Sequence, residues 1–66
     1  MELQVNGENR ILQGPISISE FLTLHNLNSK MVVVEHNRVI VPRDRYVEVV
    51  LQPGDEIEIV QMMAGG

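Results

Sequence analysis

The sequence predicts an α+β fold in which one mixed sheet of four to five strands packs on a single helix. Residues 2–6 and 56–59 alternate polar and apolar side chains, and this period of two is typical of half-buried strands. The stretch between them contains one helix-start signal, followed by apolar residues at helical spacing. Turn sequences containing Asn, Gly and Pro separate the segments. The predicted order is two strands, a helix, two strands and a final strand.

The first two strands form a predicted hairpin. Asn6-Gly7 follows the first alternating segment and supplies a turn that tolerates positive φ. Residues 10–13 are predicted as the returning strand. Gly14-Pro15 ends it, because proline has no amide hydrogen to donate to a ladder.

The helix is predicted over residues 18–26. Ser17 and Glu20 have the spacing of a capping box, and Ile16 and Phe21 have that of a hydrophobic staple. One face then carries residues at positions i, i+3, i+4 and i+7, namely Ile18, Phe21, Leu22 and His25. We expect this face to pack on the sheet.

A second hairpin and a last strand complete the predicted sheet. Residues 31–35 and 39–41 are rich in Val, which favours strands, and the polar residues 36–38 join them. Residues 47–51 have an ambiguous pattern that is compatible with an extended segment. Gln52-Pro53-Gly54-Asp55 has the signature of a type II turn. The last strand, 56–59, can pair parallel with the first because most of the chain forms the crossover between them.

The composition excludes several classes of protein. The chain has 66 residues, 44% of them hydrophobic, so we expect one domain over residues 1–66 with a thin core. Such a core leaves little room for a deep substrate pocket, and we expect no catalytic residues in this chain. Nine acidic against five basic residues argue against nucleic-acid binding. The longest apolar run, residues 31–34, is too short to span a membrane.

Metal ions and bound cofactors are not expected either. The sequence has no Cys, which excludes disulfides, Cys-based zinc sites and a thiol nucleophile. His25 and His36 lie eleven residues apart without metal-ligand spacing, so we expect them at the surface or at a helix terminus. No glycine-rich phosphate loop is present, so the chain should not bind a nucleotide. The absence of Cys and of an N-terminal signal sequence favours a cytoplasmic location.

The most informative feature is Gly65-Gly66 at the end of the sequence. Glycine has no Cβ, so a tail ending in this doublet can pass through a narrow slot into another protein's active site. The reactive group would then be the α-carboxylate of Gly66. The alternative is a frayed tail, about residues 62–66, whose composition has no function.

The strand that precedes this tail predicts a docking surface. If Glu56 and Glu58 face water, the period of two turns Val60 and Met62 outward as well. Exposed apolar residues beside a tail, with Met63 next to them, suit contact with a partner. The alternative is a β-bulge that returns Val60 or Met62 to the core.

Four short motifs, taken with this element order, resemble a known family. In chain order they are Val5-Asn6-Gly7, Val41-Pro42-Arg43, Pro53-Gly54-Asp55 and Met63-Ala64-Gly65-Gly66. Their order and spacing are similar to those of the ubiquitin-like sulfur carriers, which have a β-grasp fold, and more narrowly to those of the ThiS family of thiamin biosynthesis. The resemblance covers the whole chain.

This resemblance implies a carrier rather than an enzyme. An E1-like adenylating enzyme of the ThiF type would use ATP to adenylate Gly66, with Ala64, Gly65 and Gly66 entering its active site. A persulfide sulfur would displace AMP and leave a thiocarboxylate, which donates its sulfur to a thiazole synthase of the ThiG type. The chain itself would bind no cofactor, since its partners use the ATP and the sulfur donor.

Three other functions are compatible with the same features. A molybdopterin-synthase-type carrier subunit also ends in Gly-Gly. A ubiquitin-like protein modifier would end in an isopeptide bond from Gly66 to lysine. A β-grasp interaction domain with an inert tail would use neither glycine.

Overall fold

Five strands of one mixed sheet pack on a single α-helix in the computed structural model, which describes residues 1–62. The strands are β1 (Glu2–Val5), β2 (Glu8–Ile11), β3 (Val32–His36), β4 (Val39–Ile40) and β5 (Glu56–Gln61). The helix α1 is Ile18–Leu24, and two 3-10 helices cover Ser29–Met31 and Arg43–Arg45. The spatial order is β2-β1-β5-β3-β4, with β1 and β5 parallel and the other neighbours antiparallel. The predicted α+β fold and the parallel pairing of first and last strands are confirmed.

Both hairpins close through two-residue turns in the left-handed region. Asn6 and Gly7 have φ of 52° and 81°, and Asn37 and Arg38 have φ of 50° and 72°. Positive φ at both central residues is the type I′ geometry, which matches the twist of the flanking strands. The first turn pairs Val5 with Glu8, so β2 begins at Glu8 and ends at Ile11. The prediction of this strand at residues 10–13 was therefore displaced by two residues.

Helix α1 begins as predicted and ends earlier. Ser17 Oγ accepts the amide of Glu20 at 3.0 Å, and the Ser17 amide donates to Glu20 Oε1 at 3.1 Å, which confirms the capping box. Asn26 takes φ of 57° after the C-cap, and the Leu27 amide donates to the Leu22 carbonyl at 2.9 Å. This is a Schellman motif with Asn in the left-handed position. It ends the helix at Leu24, two residues before the predicted end at 26.

The core lies between α1 and one face of the sheet. Its buried residues come from three strands, the helix and the long connection before β5: Leu3, Val5, Ile18, Phe21, Leu22, Val32, Val34, Val41, Tyr46, Leu51 and Ile57. The three helix members belong to the predicted apolar face. His25, the fourth residue of that face, is exposed at the C-cap, and its ring stacks on Phe21 at a centroid distance of 4.2 Å.

The connection before β5 contains no regular strand in the part of the chain that the structure describes. Within residues 47–51 only Val50 forms an isolated bridge, with Ser17. The Leu51 amide donates to the Ile16 carbonyl at 2.8 Å, so this segment pairs with the residues before α1 rather than with the sheet. The following turn has the predicted geometry, since Gly54 has φ of 85° and the Asp55 amide donates to the Gln52 carbonyl at 3.1 Å.

Candidate functional site

The last strand, β5, lies in the middle of the sheet and leads toward the C-terminal residues. It pairs with β1 on one side and with β3 on the other, from Val32 opposite Gln61 to His36 opposite Ile57. It continues to Gln61, two residues beyond the predicted end at 59. The amide of Met62 then donates to the Met31 carbonyl at 2.7 Å. The predicted tail residues Met63, Ala64, Gly65 and Gly66 lie outside the described residues.

The side chain of Asn6 extends the pairing of β5 beyond the end of β1. Asn6 Oδ1 accepts the Ile59 amide at 2.8 Å, and Asn6 Nδ2 donates to the Ile59 carbonyl at 3.3 Å. One side-chain amide therefore satisfies both backbone groups of a strand residue, as a neighbouring strand would. From the sequence, Asn6 is predicted at the end of the first strand and in the turn that follows, with no contact to the last strand. The signal that could have identified this second role is its amide, which offers one acceptor and two donors.

The start of β5 is fixed by a polar network between two turns. Asp55 Oδ2 accepts hydrogen bonds from His36 Nε2 at 2.6 Å and from the Gln52 amide at 2.9 Å. Asn37 Nδ2 donates to Asp55 Oδ1 at 3.2 Å, and Asn37 Oδ1 accepts the Glu56 amide at 2.9 Å. The side chains of His36 and Asp55 are only 22% and 13% exposed. The expected surface or helix-terminal position is thus found for His25, whereas His36 is a half-buried partner of Asp55.

The pKa of Asp55 reflects two opposing effects. Burial raises it, whereas the hydrogen bonds from His36, from the Gln52 amide and from Asn37, together with the charge of His36, lower it. The lowering effects prevail, so the pKa of Asp55 in the folded protein lies below its ordinary value of 3.8. The folded state therefore stabilises the carboxylate form.

This lowered pKa predicts a stability that depends on pH. The ionised carboxylate contributes stability above the unfolded pKa, and that contribution is lost as the pH falls through the lower, folded pKa. We expect Asp55→Asn to lower the free energy of unfolding at pH 7 by about 1–2 kcal/mol. We also expect it to flatten the decline below about pH 4. Urea denaturation at a series of pH values measures both effects. Asp44→Asn, at an exposed position, should leave the profile unchanged; an unaltered profile in Asp55→Asn would contradict the assignment.

Four apolar side chains form a patch on the face of the sheet that does not carry the helix. Val60 is 61% exposed, and its cross-strand partner Val33 is 37% exposed. Met62 follows Val60 on the same face and is 41% exposed. Ile40, 63% exposed, is paired with Glu35 and lies on that face as well. We call Val33, Ile40, Val60 and Met62 the open-face patch.

The outward orientation of Val60 and Met62 is therefore confirmed, and the alternative of a β-bulge is wrong. The register between β3 and β5 is uninterrupted from Val32 to His36, so no extra residue turns Val60 toward the core. Carboxylates lie beside the patch on the same face, since Glu35 pairs with Glu58 and the strand period places Glu56 there too. The patch thus has an apolar centre and an acidic border.

Two further predictions concern metal ions and membranes. Within residues 1–62, no group of three or more His, Cys, Asp or Glu side chains is placed to hold a metal ion. No helix in that part of the chain has the length and hydrophobicity needed to cross a bilayer.

These elements define a class of protein. The sheet is mixed, its first and last strands are parallel, and one helix packs on it. The last strand leads toward Gly65-Gly66 in the sequence. This combination is the ubiquitin-like β-grasp architecture. The model of the ThiS family matches residues 3–66. The chain belongs to the ThiS family, and the resemblance stated from the sequence is confirmed.

Individual relatives agree with this membership. The chain is 38% identical over 65 residues to the sulfur carrier protein ThiS of Bacillus subtilis, covering 97% of this chain and 98% of that protein. It is 36% identical over 66 residues to a thiazole synthase of Paramagnetospirillum magneticum. The chain spans only 20% of that synthase. The crystal structure of the thiamine biosynthesis protein ThiS from Geobacter metallireducens superimposes with a TM-score of 0.86, at 28% identity over 100% of both chains.

Proposed function

We propose that this chain carries sulfur for thiamin biosynthesis as a thiocarboxylate on Gly66. The observation that supports it best is the path of β5, a central strand that is hydrogen-bonded on both sides and leads toward the Gly65-Gly66 doublet. In this proposal the sheet holds β5 in place up to Met62, and the partners act on the residues that follow it in the sequence. The chain then serves as a co-substrate, and its partners supply the catalytic residues.

The chemistry requires activation because a carboxylate is a poor electrophile. In the proposed sequence, a carboxylate oxygen of Gly66 attacks the α-phosphorus of ATP, and pyrophosphate leaves. The sulfur of a protein persulfide then attacks the acyl carbon, and AMP leaves with the oxygen. A thiol reduces the resulting acyl disulfide, so the thiocarboxylate is released and the two remaining sulfurs form a disulfide. Since each cycle consumes ATP, we place the reaction in the cytoplasm.

The open-face patch is the proposed contact surface for the adenylating enzyme and for thiazole synthase. Gly66 lies four residues beyond Met62, so a fully extended tail reaches at most roughly 14 Å from that residue. A partner that acts on Gly66 must therefore approach the end of β5, where Val60 and Met62 are exposed. The acidic border of the patch favours a partner surface with an apolar centre and basic residues around it.

Two relatives support the contact with thiazole synthase. In the thiazole synthases of Paramagnetospirillum magneticum and Magnetococcus marinus, all 66 residues of this chain match a segment that makes up 20% of the protein. In those proteins a segment similar to this chain and the rest of the synthase belong to one polypeptide. We infer that the separate chain serves the same reaction by binding a synthase.

Intact mass measurement with a thiol-alkylating reagent tests the proposal. The purified chain is incubated with ATP, a sulfur donor and the candidate adenylating enzyme, then alkylated. Because the chain has no Cys, a stoichiometric tag mapped to the C-terminal peptide reports a thiocarboxylate on Gly66. Mass alone is insufficient, since replacing oxygen by sulfur has the same nominal effect as oxidising one of the four Met residues.

The control is the same chain without Gly65-Gly66, which should remain untagged. An untagged full chain in the complete reaction would reject the proposal. Rescue of a thiamin auxotroph, but not of a molybdenum-cofactor auxotroph, would assign the tagged chain to the thiamin pathway. High-mass conjugates in cell extract would instead indicate a protein modifier.

A further inference from the structure

We propose that Arg43 is a positioning residue that fixes Met62 at the end of β5, the point from which residues 63–66 continue. The functional part of this inference rests on the proposed activation of Gly66; the structural part does not. Arg43 belongs to the Val41-Pro42-Arg43 motif, to which the proposed function assigns no role.

The guanidinium of Arg43 binds two consecutive backbone carbonyls in another part of the chain. Its Nε donates to the Ser29 carbonyl at 2.8 Å, and its Nη2 donates to the Lys30 carbonyl at 3.3 Å. Both carbonyls belong to the 3-10 helix Ser29–Met31. The last carbonyls of a short helix have no hydrogen-bond partner within the helix. A guanidinium that donates to two of them from another part of the chain therefore stabilises this segment.

The next carbonyl along the chain, that of Met31, accepts the amide of Met62 at 2.7 Å. This is the hydrogen bond that follows the Val32–Gln61 pair at the end of the ladder between β3 and β5. Arg43 therefore stabilises the segment that carries the acceptor for Met62. Asn28 stabilises the same segment from its other end, because its Oδ1 accepts the Lys30 amide at 2.9 Å.

The position of this acceptor matters for the reaction because it limits where Gly66 can reach. With the Met62 bond intact, the reach of the Gly66 carboxylate is measured from Met62, four residues earlier. Without that bond, the reach is measured from Gln61, so the carboxylate can sample more positions. A misplacement of about 1 Å can cost two orders of magnitude in rate, so the origin of the tail influences the chemical step.

Arg45 provides a matched control, because it lies in the same 3-10 helix as Arg43, Arg43–Arg45. It has the same charge, but its Nε pairs with Glu48 at 2.7 Å, and the structure gives it no hydrogen bond to residues 29–31 within the described part of the chain. Arg43→Gln and Arg45→Gln therefore remove the same charge two positions apart. Arg43→Lys retains the charge but lacks the planar fork that binds two carbonyls at once.

Amide hydrogen exchange tests the structural part without any partner. In Arg43→Gln we expect exchange at the Met62 amide to become roughly tenfold faster. Exchange at the amide of Phe21, a buried residue whose amide donates to the Ser17 carbonyl at 2.9 Å, should stay as in the unmodified chain. Arg45→Gln should leave both amides unchanged. An equal rate at Met62 in the two variants would overturn the inference, and so would a matching increase at Phe21, which would show a general loss of stability.

Steady-state adenylation tests the functional part. We expect Arg43→Gln to lower kcat about threefold to tenfold with little change in KM, because the open-face patch is intact. Arg43→Lys should not restore kcat, whereas full rescue by Lys would indicate a charge contact with the partner and overturn a positioning role. If the unmodified chain is not adenylated at all, the proposed function fails, and the exchange result at Met62 still decides the structural part.

Discussion

A chain extended by one residue beyond Gly66, or carrying Gly65→Leu or Gly66→Leu, is expected to lose roughly 100-fold or more in adenylation rate. In the proposed reaction, the extension moves the α-carboxylate away from the position it needs for attack on ATP. On the same proposal, a leucine side chain widens the segment that would enter the active site of the partner, and it restricts φ and ψ values that glycine adopts freely. ATP–pyrophosphate exchange with the cognate adenylating enzyme measures the loss.

These changes should leave the fold intact, since the buried core residues within the described range 1–62 end at Ile57. We expect the thermal midpoints of all three variants to match that of the unmodified chain. Gly14→Leu is the matched control, because a Cβ at Gly14 would meet no atom within 4 Å and its φ is not positive. That variant should be adenylated normally. Normal adenylation of the extended chain would contradict the carrier function.

The elements that sequence analysis predicted well are those determined by neighbouring residues. The partners of the capping box, Ser17 and Glu20, are only three positions apart in the sequence. Both hydrogen bonds that the pattern predicts are present in the structure. The Asn6-Gly7 turn is equally local, since its type follows from residues that tolerate positive φ. The outward orientation of Val60 followed from the period of two in a strand whose inward residue, Ile57, is 1% exposed.

The features that sequence analysis missed depend on contacts between distant residues. Asn6 binds the backbone of Ile59, which lies 53 positions away, and His36 binds Asp55 across 19 positions. No local pattern contains both partners of such a pair. Once the sheet brings β1, β3 and β5 together, the polar turn residues become neighbours of the last strand. The same holds for Arg43, whose carbonyl partners lie 13 and 14 positions earlier.

Residues 47–51 show a second reason why the structure differs from the sequence-based prediction, which allowed an extended segment. Val is common in this segment, and β-branched residues favour strands, but the segment reaches no free edge of the sheet. It pairs instead with the residues before α1, and Leu51 is completely buried. Tertiary packing, not the local strand propensity, therefore determines the conformation of this segment. The two-residue displacement of β2 has a smaller cause, since the tight turn pairs Glu8 directly with Val5.

A carboxylate in place of Val60 tests the open-face patch as the proposed contact surface. We expect Val60→Asp to weaken binding to the adenylating enzyme about 10- to 100-fold, as measured by titration calorimetry. Val60 belongs to the open-face patch and lies directly opposite Val33, and loss of an apolar contact at a binding hot spot typically has effects of this size. The new carboxylate would also remain unpaired in an apolar contact, which adds to the loss. The free energy of unfolding should fall by no more than about 1 kcal/mol, because the side chain is 61% exposed.

Val47→Asp separates this local effect from a general effect of added charge. Val47 is 70% exposed but lies outside the sheet, so the same substitution there should leave both binding and stability nearly unchanged. Binding of the unmodified chain should also weaken as salt increases, because the carboxylates of Glu35, Glu56 and Glu58 border the patch. Equal losses of affinity in Val60→Asp and Val47→Asp would contradict docking through the open face. A loss of several kcal/mol of stability in Val60→Asp would show that Val60 contributes to the core instead.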